Sequence, residues 1–394
     1  MSSPESKTYK NLRIDHVGSL VRPAGLREAF AKCDTGLTLE AELREAQDQA
    51  IRRVVAEQER HGLLAVNDGE FRRRNFQESF SASVSGFDEP KDARLYYHRR
   101  QKPTDPMQRN EQDFDAPGPA ILTRRPVVAR LQLVRNEPLE EVMFVQSIAT
   151  RPVKVTLIGP DRISQRFAWE RSRPIYADLD EFVDDVVAIE RRIISELIQA
   201  GCRYIQIDAP SYTAYVDQVS LERMRARGED PTKNLARAIK ADNAVIAGFS
   251  GVTFGIHICR GNARTVDPTT GKLMPQWKRE GSYEAIAERL FQTLNHDRFL
   301  LEYDSPRAGG FEPLRFVPKD KFVALGLITT KESRLETVDE LKRRIDEASR
   351  YLSTDQIGIS PQRGFGGLAN NSMSEDEQWR KIDRMAEAAD HIWR

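Results

Sequence analysis

The chain reads as an α/β protein of the closed parallel kind, a (β/α)8 TIM barrel with a long insertion after strand two. Three observations lead there: short apolar or β-branched runs alternate with amphipathic stretches of helical period, the runs number eight, and residues able to carry chemistry gather where the runs end. The first run is Arg13 to Val17 and the second Leu63 to Asp68; both close on polar residues. The third is Val153 to Leu157 and the fourth Tyr204 to Asp208. Val252 to Cys259, Phe299 to Tyr303, Phe322 to Leu327 and Gln356 to Ser360 complete the set. Between them, Leu39 to His61, Leu179 to Ala200, Thr232 to Ala247, Tyr283 to Leu294, Thr337 to Leu352 and Ser374 to Ile392 repeat their apolar residues at helical spacing.

Length permits two or three domains or one large barrel, and the rhythm favours the second, a single barrel domain over 1–394. The stretch 71–151 interrupts the rhythm, because a strand-to-helix loop normally takes only a few residues. It carries the charged run Arg94 to Lys102 and the Pro-containing run Asp105 to Pro126, so it reads either as a lid or dimer arm at the barrel mouth or as a solvated decoration. Lys plus Arg equal Asp plus Glu at 60 each, so no overall field draws nucleic acid or anionic lipid. The apolar runs fall far short of the roughly 20 residues of a spanning helix, which argues against a membrane protein. Three cysteines make no disulfide framework and the polar start resembles no leader; the expected compartment is the cytoplasm.

Active sites of such barrels are built at the carboxyl ends of the strands. There stand His16 and Ser19 (first run), Asp68 and Glu70 (second), Asp208 (fourth), His257 and Cys259 (fifth), Glu302 (sixth), then Lys331 and Arg363 after the seventh and eighth. Ionisable groups ending buried strands pay desolvation, so their gathering at one mouth points to a site. In an extended segment residues i and i+2 face the same way, so His257 and Cys259 could meet one ion. Zinc suits that N and S pair, with Glu302 one strand away as an oxygen donor and a fourth position open. The alternative is a buried thiol beside a hydrogen-bonded imidazole. Cys33 and Cys202 read as core residues and His61 as a helix cap.

Six segments, HVGSLVRP, NDGEFRRRNF, IQIDAP, HIC, FLLEYDSPRAG and ISPQRGFGG, make the chain similar to the cobalamin-independent methionine synthase family. The resemblance runs from about Ile14 to Phe365 and is to the catalytic C-terminal barrel and its single-barrel paralogues, in the methionine synthase/uroporphyrinogen decarboxylase-like superfamily. It implies zinc held by His257, Cys259 and Glu302, an amino group of homocysteine held by Glu70 and Asp208, and a carboxylate met by the backbone at Ser19. The family's second Cys ligand falls at Arg363 and its proton-donating His at or near Lys331, making these the candidate catalytic positions that depart from the pattern. A guanidinium has no lone pair to donate, so two outcomes are open: zinc on three ligands with Arg363 turned to an anionic substrate group, or no metal and Arg363 paired with Glu302.

The resulting expectation is a zinc-dependent S-methyltransferase of methionine biosynthesis that passes a methyl group from a folate-like donor to a small-molecule thiol such as homocysteine. Zinc would ionise the thiol, whose ordinary pKa is about 8.5. Two alternatives stand beside it. One is an alkyl-thiol transferase or lyase of the epoxyalkane to coenzyme M type, with Arg363 holding a sulfonate or carboxylate; the other is a metal-free, non-catalytic paralogue. A homo-dimer is compatible with the insertion.

Overall fold

A computed structural model describes residues 9–88, 126–165, 167, 172–260, 264–266, 273–275, 279–367 and 373–393. Short strands β1 (Val84–Phe87) and β2 (Val127–Leu133) pair antiparallel, with Val84 opposite Leu133. The main sheet consists of β3 (Lys154–Ile158), β4 (Tyr204–Asp208), β5 (Thr253–Ile258), β8 (Arg298–Glu302), β9 (Phe322–Ile328) and β10 (Ile357–Pro361). Its order is β10-β9-β8-β5-β4-β3, and every neighbouring pair is parallel. A small antiparallel ladder of β6 (Arg264–Val266) and β7 (Leu273–Pro275) follows β5.

The first two expected strands flank this sheet as isolated parallel bridges, Ile14 beside Ile359 and Val66 beside Val153. They meet each other through a ring contact from His16 Nε2 to the Ala65 carbonyl (3.3 Å), an Asn67 amide donating to the Gly18 carbonyl (3.0 Å), and Leu20 N–H to the Gly69 carbonyl (3.1 Å). Eight parallel segments thus run in barrel order, as expected. The seam between these two segments is made by the His16 ring, the Asn67 side chain and one backbone hydrogen bond.

All residues of the six sheet strands are buried, as in a parallel sheet covered by helices. The helix Leu179–Gln199 buries Phe182, Val183, Val186, Ile189, Ile193, Ile194 and Leu197 on one stripe, and Asp178 caps it by accepting from Glu181 N–H at 2.8 Å. Thr337 and Glu340 form a capping box that starts Val338–Ala348. The end of the 71–151 stretch is itself a barrel helix, Glu137–Gln146, packed on β3. The charged run 94–102 lies outside the described residues. Among those described, no helix is long and apolar enough to cross a membrane.

Candidate active site

Inward-facing side chains of the barrel are mostly polar, with one small apolar plug of Val17, Leu300 and Ala324. Below the plug, Asp15 accepts from Lys154 Nζ at 3.0 Å and Tyr204 Oη at 2.5 Å and pairs with Arg298 at 3.1 Å. Burial pushes the Asp15 carboxyl up, but Lys154 and Arg298 outweigh it and bring the pKa to about 2. Lys154 also donates to the His16 carbonyl at 2.5 Å, so this charge cluster fixes the end of the first segment.

Above it, Glu70 and Asp208 come together. Glu70 lies in the left-handed region at φ 59, the one non-glycine residue there among those described, right after Gly69 at φ 69. Asp68 holds the turn by accepting from Glu70 N–H at 2.9 Å, and the buried Arg22 donates to the carbonyls of Glu70 and Arg73, both at 2.7 Å. The carboxylate of Glu70 accepts from Thr156 Oγ1 at 2.8 Å, while Arg73 donates to that same hydroxyl at 3.0 Å and forks onto Glu141. Asp208, last residue of β4, accepts from Gln206 Nε2 at 2.7 Å. Burial raises its pKa well above the ordinary carboxylate value, and the charge of Glu70 raises it further. Ser19 closes the same corner: its carbonyl accepts from Phe365 N–H at 2.8 Å, and a Cβ on Gly364 would fall 1.9 Å from its hydroxyl.

The third group stands on the neighbouring strands. His257 is the register partner of Asp208 on one side and Leu300 on the other. Its Nδ1 contacts the Leu300 carbonyl at 3.2 Å, and Nε2 is buried without a hydrogen-bond partner. Burial pulls the imidazole down to about 4; Glu302 opposes that, while Lys154 and Arg363 add to it. Cys259 is buried two residues on. Glu302 is fully buried and already engaged: Oε1 takes the Arg307 guanidinium, with Nε at 3.0 Å, and Lys331 Nζ at 3.3 Å, and Oε2 accepts from Arg260 N–H at 2.6 Å. Burial would raise its pKa, but Arg307 and then Lys331 hold it below the ordinary value. Lys331 also donates to both Asp304 oxygens, at 2.8 and 2.7 Å.

The expected metal ligands therefore share a neighbourhood but do not form a cage. Among the described residues, no group of three His, Cys, Asp or Glu side chains is placed to hold a metal ion. The free Nε2 of His257 suits a ligand; the engaged Glu302, with Arg363 near the imidazole, does not. As the side chains stand, the donor set does not fit zinc. Arg307, Thr156, Arg73 and Gln206 are functional neighbours that the sequence reading did not assign. Thr156 and Gln206 were accessible to it, since each lies two residues from an inward-facing neighbour on its strand.

Comparison with known proteins agrees with this architecture. Residues 14–266 match the model of the cobalamin-independent synthase catalytic domain, more than half of the chain. The chain belongs to the cobalamin-independent methionine synthase family. Relatives extend the match along its length: the uncharacterised Bacillus subtilis protein YxjH is 34% identical over 99% of this chain and 97% of its own. The methionine synthase of Pyrococcus abyssi is 26% identical over 89% of this chain and 85% of its own. Among solved structures, the putative vitamin-B12 independent methionine synthase of Listeria monocytogenes superposes with a TM-score of 0.71 at 24% identity, covering 97% of this chain and 98% of that one. The B12-independent methionine synthase of Shewanella sp. W3-18-1 gives 0.67 at 19% identity, covering 97% of each chain. These two likenesses concern the fold, which is the TIM barrel type.

Proposed function

We propose that the protein is an S-methyltransferase of the methionine synthase type, passing a methyl group from a folate-like donor to the thiol of homocysteine. Family membership supports methyl transfer, and the observation that carries the choice of acceptor is the buried acid pair Glu70 and Asp208 beside His257. Two carboxyls within electrostatic reach of one another, out of water, make a receptor for an ammonium group. Ser19, at the junction of the first and eighth segments, is where the amino-acid carboxylate would meet the backbone. A substrate anchored there extends its sulfur toward His257 and Cys259. The neutral imidazole, with Nε2 unengaged, can accept a hydrogen bond from the thiol. Neighbouring cations would favour the thiolate form, and Lys331, held between Glu302 and Asp304, would serve as the acid for the departing side of the methyl donor.

Methionine formation from homocysteine and a methyltetrahydrofolate tests the proposal. Glu70→Gln should raise KM for homocysteine about 10- to 100-fold, with much less effect on a thiol that lacks the amino group; the loss follows from an ammonium left without its charge partner. Equal effects on both thiols would remove Glu70 from substrate binding, and absence of methyl transfer to homocysteine would overturn the function itself. Arg363, close to the imidazole, favours one second reading, an alkyl-thiol transferase for a sulfonated or carboxylated thiol. Turnover of such a thiol with homocysteine inert would select it.

A further inference from the structure

The family pattern puts a zinc ion between His257, Cys259, Glu302 and a fourth ligand at the position of Arg363. We infer that this chain does not build that zinc site, and that Arg363, together with the Arg307 and Lys331 charges on Glu302, is what bars the metal. The inference rests on family membership and side-chain positions, independently of which thiol or methyl donor is used.

Three observations carry it. Glu302 is the only oxygen donor in the expected set, and both its oxygens are in use: Arg307 and Lys331 on Oε1, Arg260 N–H on Oε2. Arg307 reaches it from the 3-10 turn Pro306–Ala308 just past β8, and Lys331 from the loop after β9, so the two cations approach from neighbouring strand ends. The charge that a divalent ion would bring to this carboxylate is already supplied by two cations tethered to the chain beside it. Second, the position of the family's second Cys ligand holds Arg363, whose guanidinium has no lone pair to give a metal and carries a charge that repels one. Third, no group of three potential ligands is assembled among the described residues. The unengaged Nε2 of His257 is the one feature that favours a metal, and a neutral buried imidazole serves equally well against a substrate thiol.

Full-length protein, stripped with chelator and titrated with zinc, decides the point by metal content per chain. Cobalt(II) added in place of zinc gives the thiolate-to-metal charge-transfer band as a second readout. Wild type should hold well under one equivalent and show no band. Arg363→Cys puts a second thiolate beside His257 and Cys259 and should bind zinc at least about 100-fold more tightly, with the band present and lost again when Cys259→Ser is added. Wild type retaining one zinc per chain with the cobalt band overturns the inference. So does an Arg363→Cys protein, folded by circular dichroism, that binds no better than wild type, because Arg363 is then not the barrier. If the cysteine variant does not fold, Arg363→Ala replaces it under the same criterion, and neither readout depends on turnover.

Discussion

Asp208 shows how one residue's surroundings set its chemistry. It is 5% exposed, its Oδ1 is met by Gln206, and burial followed by the charge of Glu70 raises its pKa well above the ordinary carboxylate value. An incoming ammonium reverses that balance, since a nearby positive charge favours the carboxylate. Binding of homocysteine should therefore lower the Asp208 pKa and release protons at a pH between its values in the free and the bound site. The measurement is the binding enthalpy in buffers of different ionisation heat; a zero slope would remove the protonated Asp208 from the scheme. Asp208→Asn should abolish the proton release, and so should a thiol ligand without an amino group. Asp208 could be read from the sequence because it ends an alternating strand in the family segment IQIDAP. The engagement of Glu302 could not be. Arg307 lies in a Gly-rich loop whose path, and so whose choice of partner, is set by tertiary packing; the chain alone offered Arg363 as the only visible partner.

At the level of elements, the site depends on a tight junction between the turns after the first two segments. Glu70 keeps a left-handed backbone that costs about 1–2 kcal/mol for a non-glycine residue, and Arg22 and Asp68 hold it there so that its carboxylate meets Thr156. Gly18 leaves room for that carboxylate: a Cβ there would come within 2.6 Å of Thr156 Cγ2 and 3.1 Å of Glu70 Oε1, at φ +147. Gly18→Ala should thus cost about 1–3 kcal/mol in stability and raise KM for the amino-acid thiol. Gly25, in the helix Ala24–Asp34, has nothing within 4 Å of the same added atom and ordinary helical backbone, so Gly25→Ala should stabilise by about 0.5–1 kcal/mol and leave kinetics alone. Denaturant unfolding of the two variants reads this contrast; a Gly18→Ala protein as stable and active as wild type would contradict the junction. Of these elements, the strand Tyr204–Asp208 and the helix starting at Leu179 match their expected positions because burial and period agree. The Glu70 turn left no signal beyond Asp-Gly, since the Arg22 that helps to hold its strain lies far away in sequence.

Over the whole molecule the formal charge sums to zero, yet buried ionisable groups give the fold a pH dependence of its own. Three buried histidines are held neutral by desolvation: His16 at about 4, His257 at about 4 and His296 at about 3. Their contribution is present above the unfolded value near 6.5 and is lost as pH falls toward 4. Buried acids act in the opposite sense. Asp242 is raised to about 7, and Glu190 and Asp208 well above their ordinary values, each mainly by burial. An acid that keeps its proton in the fold stabilises below its unfolded pKa, and that contribution is lost as pH rises through the folded value. Between about pH 4 and 6.5 the two sets oppose one another; above 6.5 the histidines are neutral in both states, and of these two sets the acids alone still act. Stability should therefore decline as pH rises past 6.5 through about 7, the value to which Asp242 is raised. Glu190 faces Asp242 across the helices Leu179–Gln199 and Pro231–Ile246, and each has one buried oxygen without a partner, so this pair should carry much of the slope. Glu190→Gln removes one group whose pKa burial raises and should flatten the decline. Urea unfolding at a series of pH values measures both slopes, and an unchanged slope in the variant would assign the decline to other groups.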